Sequence, residues 1–183
     1  MPPAAVPVIE TSRLRLRPHR DEDLSCMVAM WADPGVARFI GGRPFTASET
    51  EARLARYRAM WPRHGHGFWA VEDRDTGAFL GEMGLARFGR GLGPGFDDCP
   101  EAGWVLAAPA WGRGIATEGV AAVLGWADLR GVPRIVCMIA EGHVVSRRVA
   151  ARAGFAPWRD VGIGGVSLTV LERMRPAAVG PAA

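Results

Sequence analysis

One segment of the chain joins the residue types an anion would need: Trp111-Gly112-Arg113-Gly114-Ile115-Ala116-Thr117. It follows a short apolar run and opens an apolar helical stripe, so it reads as a strand-to-helix turn. Two glycines let backbone N–H groups converge without a Cβ in the way. The helix N-terminus adds unpaired donors and a partial positive charge. Such a turn suits a phosphate or pyrophosphate. The competing reading is a tight turn whose glycines serve sterics alone. A dinucleotide fingerprint fits less well, because position 117 is threonine where a third glycine is wanted, although Glu141 could mimic the ribose-binding acid.

Other chemistries are excluded or unsupported. All 22 basic residues are arginine, and there is no lysine, asparagine or glutamine. Without lysine there is no Walker A phosphate loop and no lysine Schiff base. Cys26, Cys99 and Cys137 are too few and too scattered for a disulfide framework. His64-Gly65-His66 has no third ligand near it, so no metal is expected. A net charge of +3 on 183 residues favours an anionic ligand but gives no nucleic-acid footprint.

The surrounding elements must position that turn. Arg13–Arg17 alternates as a half-buried strand, and a helix starts at Asp21 and stops at Asp33-Pro34-Gly35. A second helix starts at Thr46 or Ser48 and runs to about Trp61-Pro62. Gly67–Asp73 and Ala78–Arg87 form a hairpin around Asp73–Gly77. Gly89–Pro100 is a glycine-rich loop of weakly specified, mobile conformation. Glu101–Ala107 is a strand, a helix follows Gly112–Gly114, and Arg134–Ile139 is a buried strand. A short helix over Ser146–Ala153 and two final strands, Phe155–Arg159 and Val166–Met174, end the order. This predicts one α/β domain over 9–175, with flexible tails at 1–8 and 176–183. Its sheet is mixed, with a parallel βαβ step from Glu101 through Ile139. No apolar stretch approaches the roughly 20 residues of a membrane span, and the N-terminus lacks signal-peptide character, so a cytoplasmic protein is expected.

Four ordered segments resemble one family, the GNAT-fold acetyltransferases of the ribosomal-protein N-terminal acetyltransferase type. They are Ile9–Pro18, Trp31-Ala-Asp-Pro34 with Phe39-Ile40, Glu101–Trp104 through Trp111–Glu118, and Ser146-Arg-Arg-Val149 with Gly154-Phe155. The resemblance implies a GNAT fold, a central sheet of about seven strands flanked by about four helices. It implies acetyl-CoA as co-substrate, its pyrophosphate on the backbone of Gly112, Arg113, Gly114, Ile115, Ala116 and Thr117 beside Trp111. A backbone N–H within Val105, Leu106 and Ala107 would polarise the thioester carbonyl.

An attacking amine must lose a proton near neutral pH. Glu101, at the position of a family glutamate, is the expected base, and a salt-bridged strand residue is the alternative; Glu82 is the second candidate. Ser146 matches the family's serine and is expected beside the leaving sulfur, or else as a helix N-cap. His143 stands where the family usually has Asn and contacts the pantetheine arm. Trp31, Phe39 and Glu82, and also Trp69, are candidates for the acceptor pocket. Arg147, Arg148 and Arg152 read as a solvated helix face or as contacts to the 3′-phosphate. The implied acceptor is a protein N-terminal α-amine, with a small-molecule amine or a non-catalytic acyl-CoA-binding module as alternatives. A monomer or homodimer is expected.

Overall fold

The structure, a computed structural model, describes residues 6–177. The chain opens with β1 (Ile9–Glu10) and β2 (Leu14–Arg17), followed by α1 (Asp23–Ala32), the one-turn α2 (Pro34–Ala37) and α3 (Ala47–His64). Then come β3 (Phe68–Asp73), β4 (Phe79–Ala86), β5 (Glu101–Leu106), α4 (Ile115–Leu129), β6 (Arg134–Ala140), α5 (Val144–Arg152), β7 (Ala156–Ile163) and β8 (Val166–Met174). Eight strands and five helices among the described residues compare with about seven and four expected. The additions are β1 and α2, both too short to leave a periodic signal.

The α3 helix begins as its sequence dictates. Thr46 accepts from the Glu49 N–H while the Glu49 side chain accepts from the Thr46 N–H, a capping box. Pro62 does not stop it: the proline sits inside the last turn, and the left-handed Gly65 ends the helix instead. The loop before β5 is better specified than its composition suggests. The Asp97 carboxylate accepts from the N–H groups of Arg90, Gly91 and Gly93, replacing a regular ladder with a side-chain clamp.

The strands form one sheet in the order β1-β2-β3-β4-β5-β6-β8-β7. All neighbours are antiparallel except β5 and β6, the parallel step the crossover through α4 requires. One face packs α4 onto Met83, Leu85, Ile135 and Leu171, with Val120, Val123 and Leu124 as the contact stripe. The other face carries α1 and α3 through Met27, Trp31, Leu54, Tyr57 and Phe68. Buried apolar area on both faces is the main favourable term holding these layers together.

Trp69 lies in the first of these cores, edge-on to Trp61 and Trp126 with its indole donating to the Pro7 carbonyl at 2.7 Å. It is therefore a packing residue and does not line an acceptor pocket. The same bond and the packing of Val6 against the core tie down part of the expected N-terminal tail. The remainder of that tail, residues 1–5, and 178–183 of the C-terminal one lie outside the described residues.

Candidate active site

The parallel step is almost unmade. β5 and β6 share one register pair, Glu101 with Val136, closed by the Val136 N–H donating to the Pro100 carbonyl at 3.0 Å. Beyond that vertex the two strands splay. The Ala107 N–H turns to the Leu80 carbonyl on the β4 side. Strand alternation then directs the N–H groups of Trp104 and Leu106 to the open edge. The expected carbonyl-polarising donor therefore narrows to these two, and Ala107 is committed elsewhere.

The open edge runs into the glycine turn. Gly112 and Gly114 have φ of +72° and +76°, the left-handed region that disfavours any side chain. A Cβ at Gly112 would meet nothing within 4 Å, so the space above the turn is free. Gly114 caps α4 without a side-chain bond, and the first helical bond runs from the Glu118 N–H to the Gly114 carbonyl. The N–H groups of Ile115, Ala116 and Thr117 are thus left without intrahelical acceptors. The Ile115 side chain itself is core, 1% exposed, so only its backbone is available. Trp111 is half-exposed, its indole donating to the Leu106 carbonyl at 2.8 Å. Arg113 lies 3.8 Å from Asp73 with its guanidinium half-exposed.

Glu118 ties this turn to the start of the chain. Its carboxylate accepts from the Thr11 and Ser12 hydroxyls and from the Arg13 N–H and guanidinium. Partial burial opposes its ionisation, and these bonds outweigh that, taking its pKa down to about 2.

At the other end of the split lies a cavity of about 150 Å³. Glu101, Gly103, Trp104 and Val105 line one side, Met138, Ala140, His143 and Ser146 another. Trp31, Phe39, Tyr57, Phe68 and Phe88 complete an aromatic wall, with Arg53 and Arg90 set into it. The sequence placed Glu101, Ser146, His143, Val105, Trp31 and Phe39 in the site, and all six meet here.

Glu101 is 6% exposed and bound by both oxygens to Arg90, Nε to Oε2 at 2.6 Å and Nη2 to Oε1 at 2.7 Å. Burial raises its carboxyl pKa, Arg90 works against that, and the net shift is upward. Glu82 does not line the cavity. It lies fully buried behind the wall, accepting from the Tyr57 hydroxyl at 2.8 Å and the Trp31 indole at 3.2 Å. Burial lifts its pKa to about 7 against those two donors and the charges of Arg53 and Arg56. Tyr57 and Trp31, which do line the cavity, stand between it and Glu82.

Ser146 is not the N-cap. The helix starts two residues earlier, at Val144, and His143 occupies the cap position. The Ser146 hydroxyl instead accepts from the Trp104 indole at 3.3 Å and lies 3.0 Å from His143 Nε2. With the indole donating into Oγ, the serine proton is free to be given to Nε2 or to an incoming acceptor. Burial lowers the His143 pKa, so its imidazole is neutral at pH 7, and its ring stacks on Phe39 at 4.2 Å.

The profile described as the acetyltransferase (GNAT) domain matches residues 13–156. The chain belongs to the GNAT acetyltransferase family. A GNAT-family acetyltransferase structure from Bordetella pertussis is 35% identical, covers 92% of this chain and 99% of that one, and has a TM-score of 0.82. The uncharacterised N-acetyltransferase YoaA of Bacillus subtilis is 27% identical over 154 residues, 81% of this chain and 82% of that protein. The ribosomal L7/L12 α-N-protein acetyltransferase RimL, solved with coenzyme A, is 14% identical, with 92% and 98% of the two chains covered and a TM-score of 0.75; at that identity it shares the fold. As a GNAT enzyme the protein is an acetyl-CoA-dependent N-acetyltransferase.

Among the cavity residues that the sequence did not single out are Arg53, Tyr57, Phe88 and Arg90. Arg53 and Tyr57 are four apart on α3, the spacing that puts two side chains on one helical face. That was the available signal, and an arginine there reads by default as solvated. None of the helices of the described residues is long and apolar enough to cross a membrane.

Proposed function

We propose that the protein acetylates the primary amine of a compact acceptor held at the aromatic end of the cavity. Acetyl-CoA, when bound, supplies an activated acyl thioester. The residues present suit it: free N–H groups at Ile115 to Thr117 and an unfilled space over Gly112 match a pyrophosphate, and the open backbone edge of β5 matches an amide-bearing arm.

The roles follow from position. The N–H of Trp104 or Leu106 stabilises charge developing on the carbonyl oxygen. Glu101, directly or through a water, takes the proton that the ammonium must lose, its raised pKa favouring that role. The amine nitrogen then forms its bond to the acetyl carbon as the carbon–sulfur bond breaks, and its remaining surplus proton passes to the departing sulfur, so that an amide and a free thiol result. Ser146, with its oxygen already satisfied by Trp104, gives a hydrogen bond to the departing sulfur.

The single observation that carries this reading is the splayed β5–β6 pair, which leads from the glycine turn to a half-open cavity lined by Glu101 and Ser146. The small volume, about 150 Å³, between Phe39, Phe88 and Arg90 favours a small amine. A protein N-terminal α-amine is the second reading, favoured by the resemblance of Ile9–Pro18 and of the other ordered segments to the ribosomal-protein type. The test is thiol release from acetyl-CoA across a panel of short peptides and small amines. The absence of lysine removes self-acetylation at side-chain amines from the background. Release that depends on an added amine is expected; release indifferent to every amine would overturn acetyl transfer to these classes.

A further inference from the structure

Two guanidinium groups enter the acceptor end of the cavity in opposite situations. Arg90 is paired through both nitrogens with Glu101. Arg53 takes part in none of the ion pairs among the described residues. Its Cζ lies 3.9 Å from the Trp31 ring centroid and 4.9 Å from that of Phe45. Those contacts hold the plane of the fork without neutralising it. Its Nη1 reaches the Tyr57 hydroxyl at 3.4 Å, and its Nε is shielded from water with no partner at all.

Neither carboxylate nearby pairs with it directly, although the Arg53 charge is among the influences that lower the Glu82 pKa against burial. Glu101 is committed to Arg90. Glu82 is one hydroxyl removed: Tyr57 donates to it at 2.8 Å and accepts from Arg53. With its pKa near 7, Glu82 carries only part of a negative charge at neutral pH. A half-buried guanidinium held in no ion pair is costly alone, and its terminal N–H groups are well matched to a planar oxyanion.

Resting on the acetyl-transfer reading above, we infer that Arg53 binds the carboxylate of the acceptor. The acceptor class is then an amino acid with a free carboxylate close to its amine and an apolar side chain among Trp31, Phe39, Phe68 and Phe88. The carboxylate forks onto Arg53, the side chain fills the aromatic wall, and the amine is left facing Glu101 and the open edge of β5. The same arrangement disfavours polyamines. A second ammonium would meet Arg53 and Arg90, with no unpaired carboxylate lining the cavity.

The experiment compares L-phenylalanine and L-methionine with their amides, with phenethylamine, with spermidine and with a short peptide of free N-terminus. Each is an acceptor for the full-length wild type and for Arg53→Gln. The readout is kcat/KM by thiol release. A charge-assisted bond of this kind gives the wild type at least about a tenfold preference for the free acid over its amide. In Arg53→Gln that ratio falls to within about threefold of one, the loss appearing mainly in KM. Equal or better use of the amide, phenethylamine, spermidine or the peptide by the wild type would overturn the proposal. So would an Arg53→Gln variant that keeps the ratio. If Arg53→Gln fails to fold, the wild-type ratio alone decides. If no acceptor is turned over, the fault lies with acetyl transfer, and calorimetry of L-phenylalanine and its amide against the CoA-loaded protein decides instead. Equal binding of acid and amide there would also overturn the proposal.

Discussion

Glu101 and Arg90 face each other through two charge-assisted bonds at the vertex where β5 and β6 part. The pair holds the proposed base in one orientation and opposes the upward push of burial on its pKa. Glu101→Gln keeps the shape but cannot take a proton. Its kcat/KM at neutral pH is expected to fall about 10²–10⁴-fold, with CoA affinity nearly unchanged because the pyrophosphate contacts lie at the glycine turn. A variant within about threefold of wild type would remove Glu101 from the mechanism and make Glu82, through Tyr57, the next to test.

Arg90→Ala has a signed consequence for pH dependence. Burial raises the Glu101 pKa and Arg90 lowers it. Without Arg90 the carboxyl pKa rises further, so the ionised base persists only at higher pH. The acid limb of kcat/KM against pH is expected to move to higher pH in the variant. A limb that stays in place would show that another group sets it.

At the cofactor turn, Gly114→Val puts a β-branched residue at φ +76°, a conformation such residues avoid. The side chain also intrudes where backbone donors converge. Loss of measurable CoA binding by calorimetry is expected, with far-ultraviolet dichroism still showing a folded chain. Wild-type affinity in the variant would make the turn a structural feature only.

Acetyl-CoA at about 100 times its Kd adds ~2.7 kcal/mol to stability. For a domain of this size that is a rise in Tm of roughly 5–11 °C. NAD and ATP at equal concentration are expected to add much less, and differential scanning fluorimetry separates the three. A larger shift with NAD would overturn the cofactor assignment.

Glu118 predicts an acid-dependent loss. Its carboxyl, at about 2 in the fold against an ordinary value of 4.5, contributes stability that is complete above the ordinary value. That contribution fades as pH falls through the folded one. Glu118→Gln is expected to lower stability at pH 7 by about 1.5–3 kcal/mol, the range for hydrogen bonds to a charged group. The gap between the two proteins should narrow steadily from pH 4.5 toward 2. A gap constant with pH would show that the carboxylate charge at Glu118 is not what matters.

Much of this was legible from the chain because the signals were local. Thr46 and Glu49 announce α3 by a capping box, and Gly112 and Gly114 announce the turn by the only residue type that adopts its φ at no cost. Glu101, Ser146 and His143 fell into place through ordered segments around those anchors. Arg53 and Arg90 did not, because their roles are tertiary. Arg53 matters only once Trp31 and Phe45 arrive from α1 and the following loop to lie against it. Arg90 sits in a glycine-rich stretch with no period, and its meaning comes from Glu101 eleven residues on. The alternative reading of Ser146 as a cap fails because the helix begins at Val144, behind His143, with no side chain closing its end.

The near-absence of pairing between β5 and β6 leaves two hydrogen-bonded ladders, β1 to β5 and β6 to β8 with β7, sharing a single rung at Glu101 and Val136. Across the gap the halves are joined by α4 and the vertex, not by a continuous backbone network. Amide exchange reports on such a seam directly. The N–H groups of Trp104 and Leu106 have no strand partner across the gap and should exchange faster than the amides of Gly103 and Val105, which face β4. Anything that threads the gap with its own amides would act as a supernumerary strand, slowing those two protons and stiffening the seam for as long as it stays.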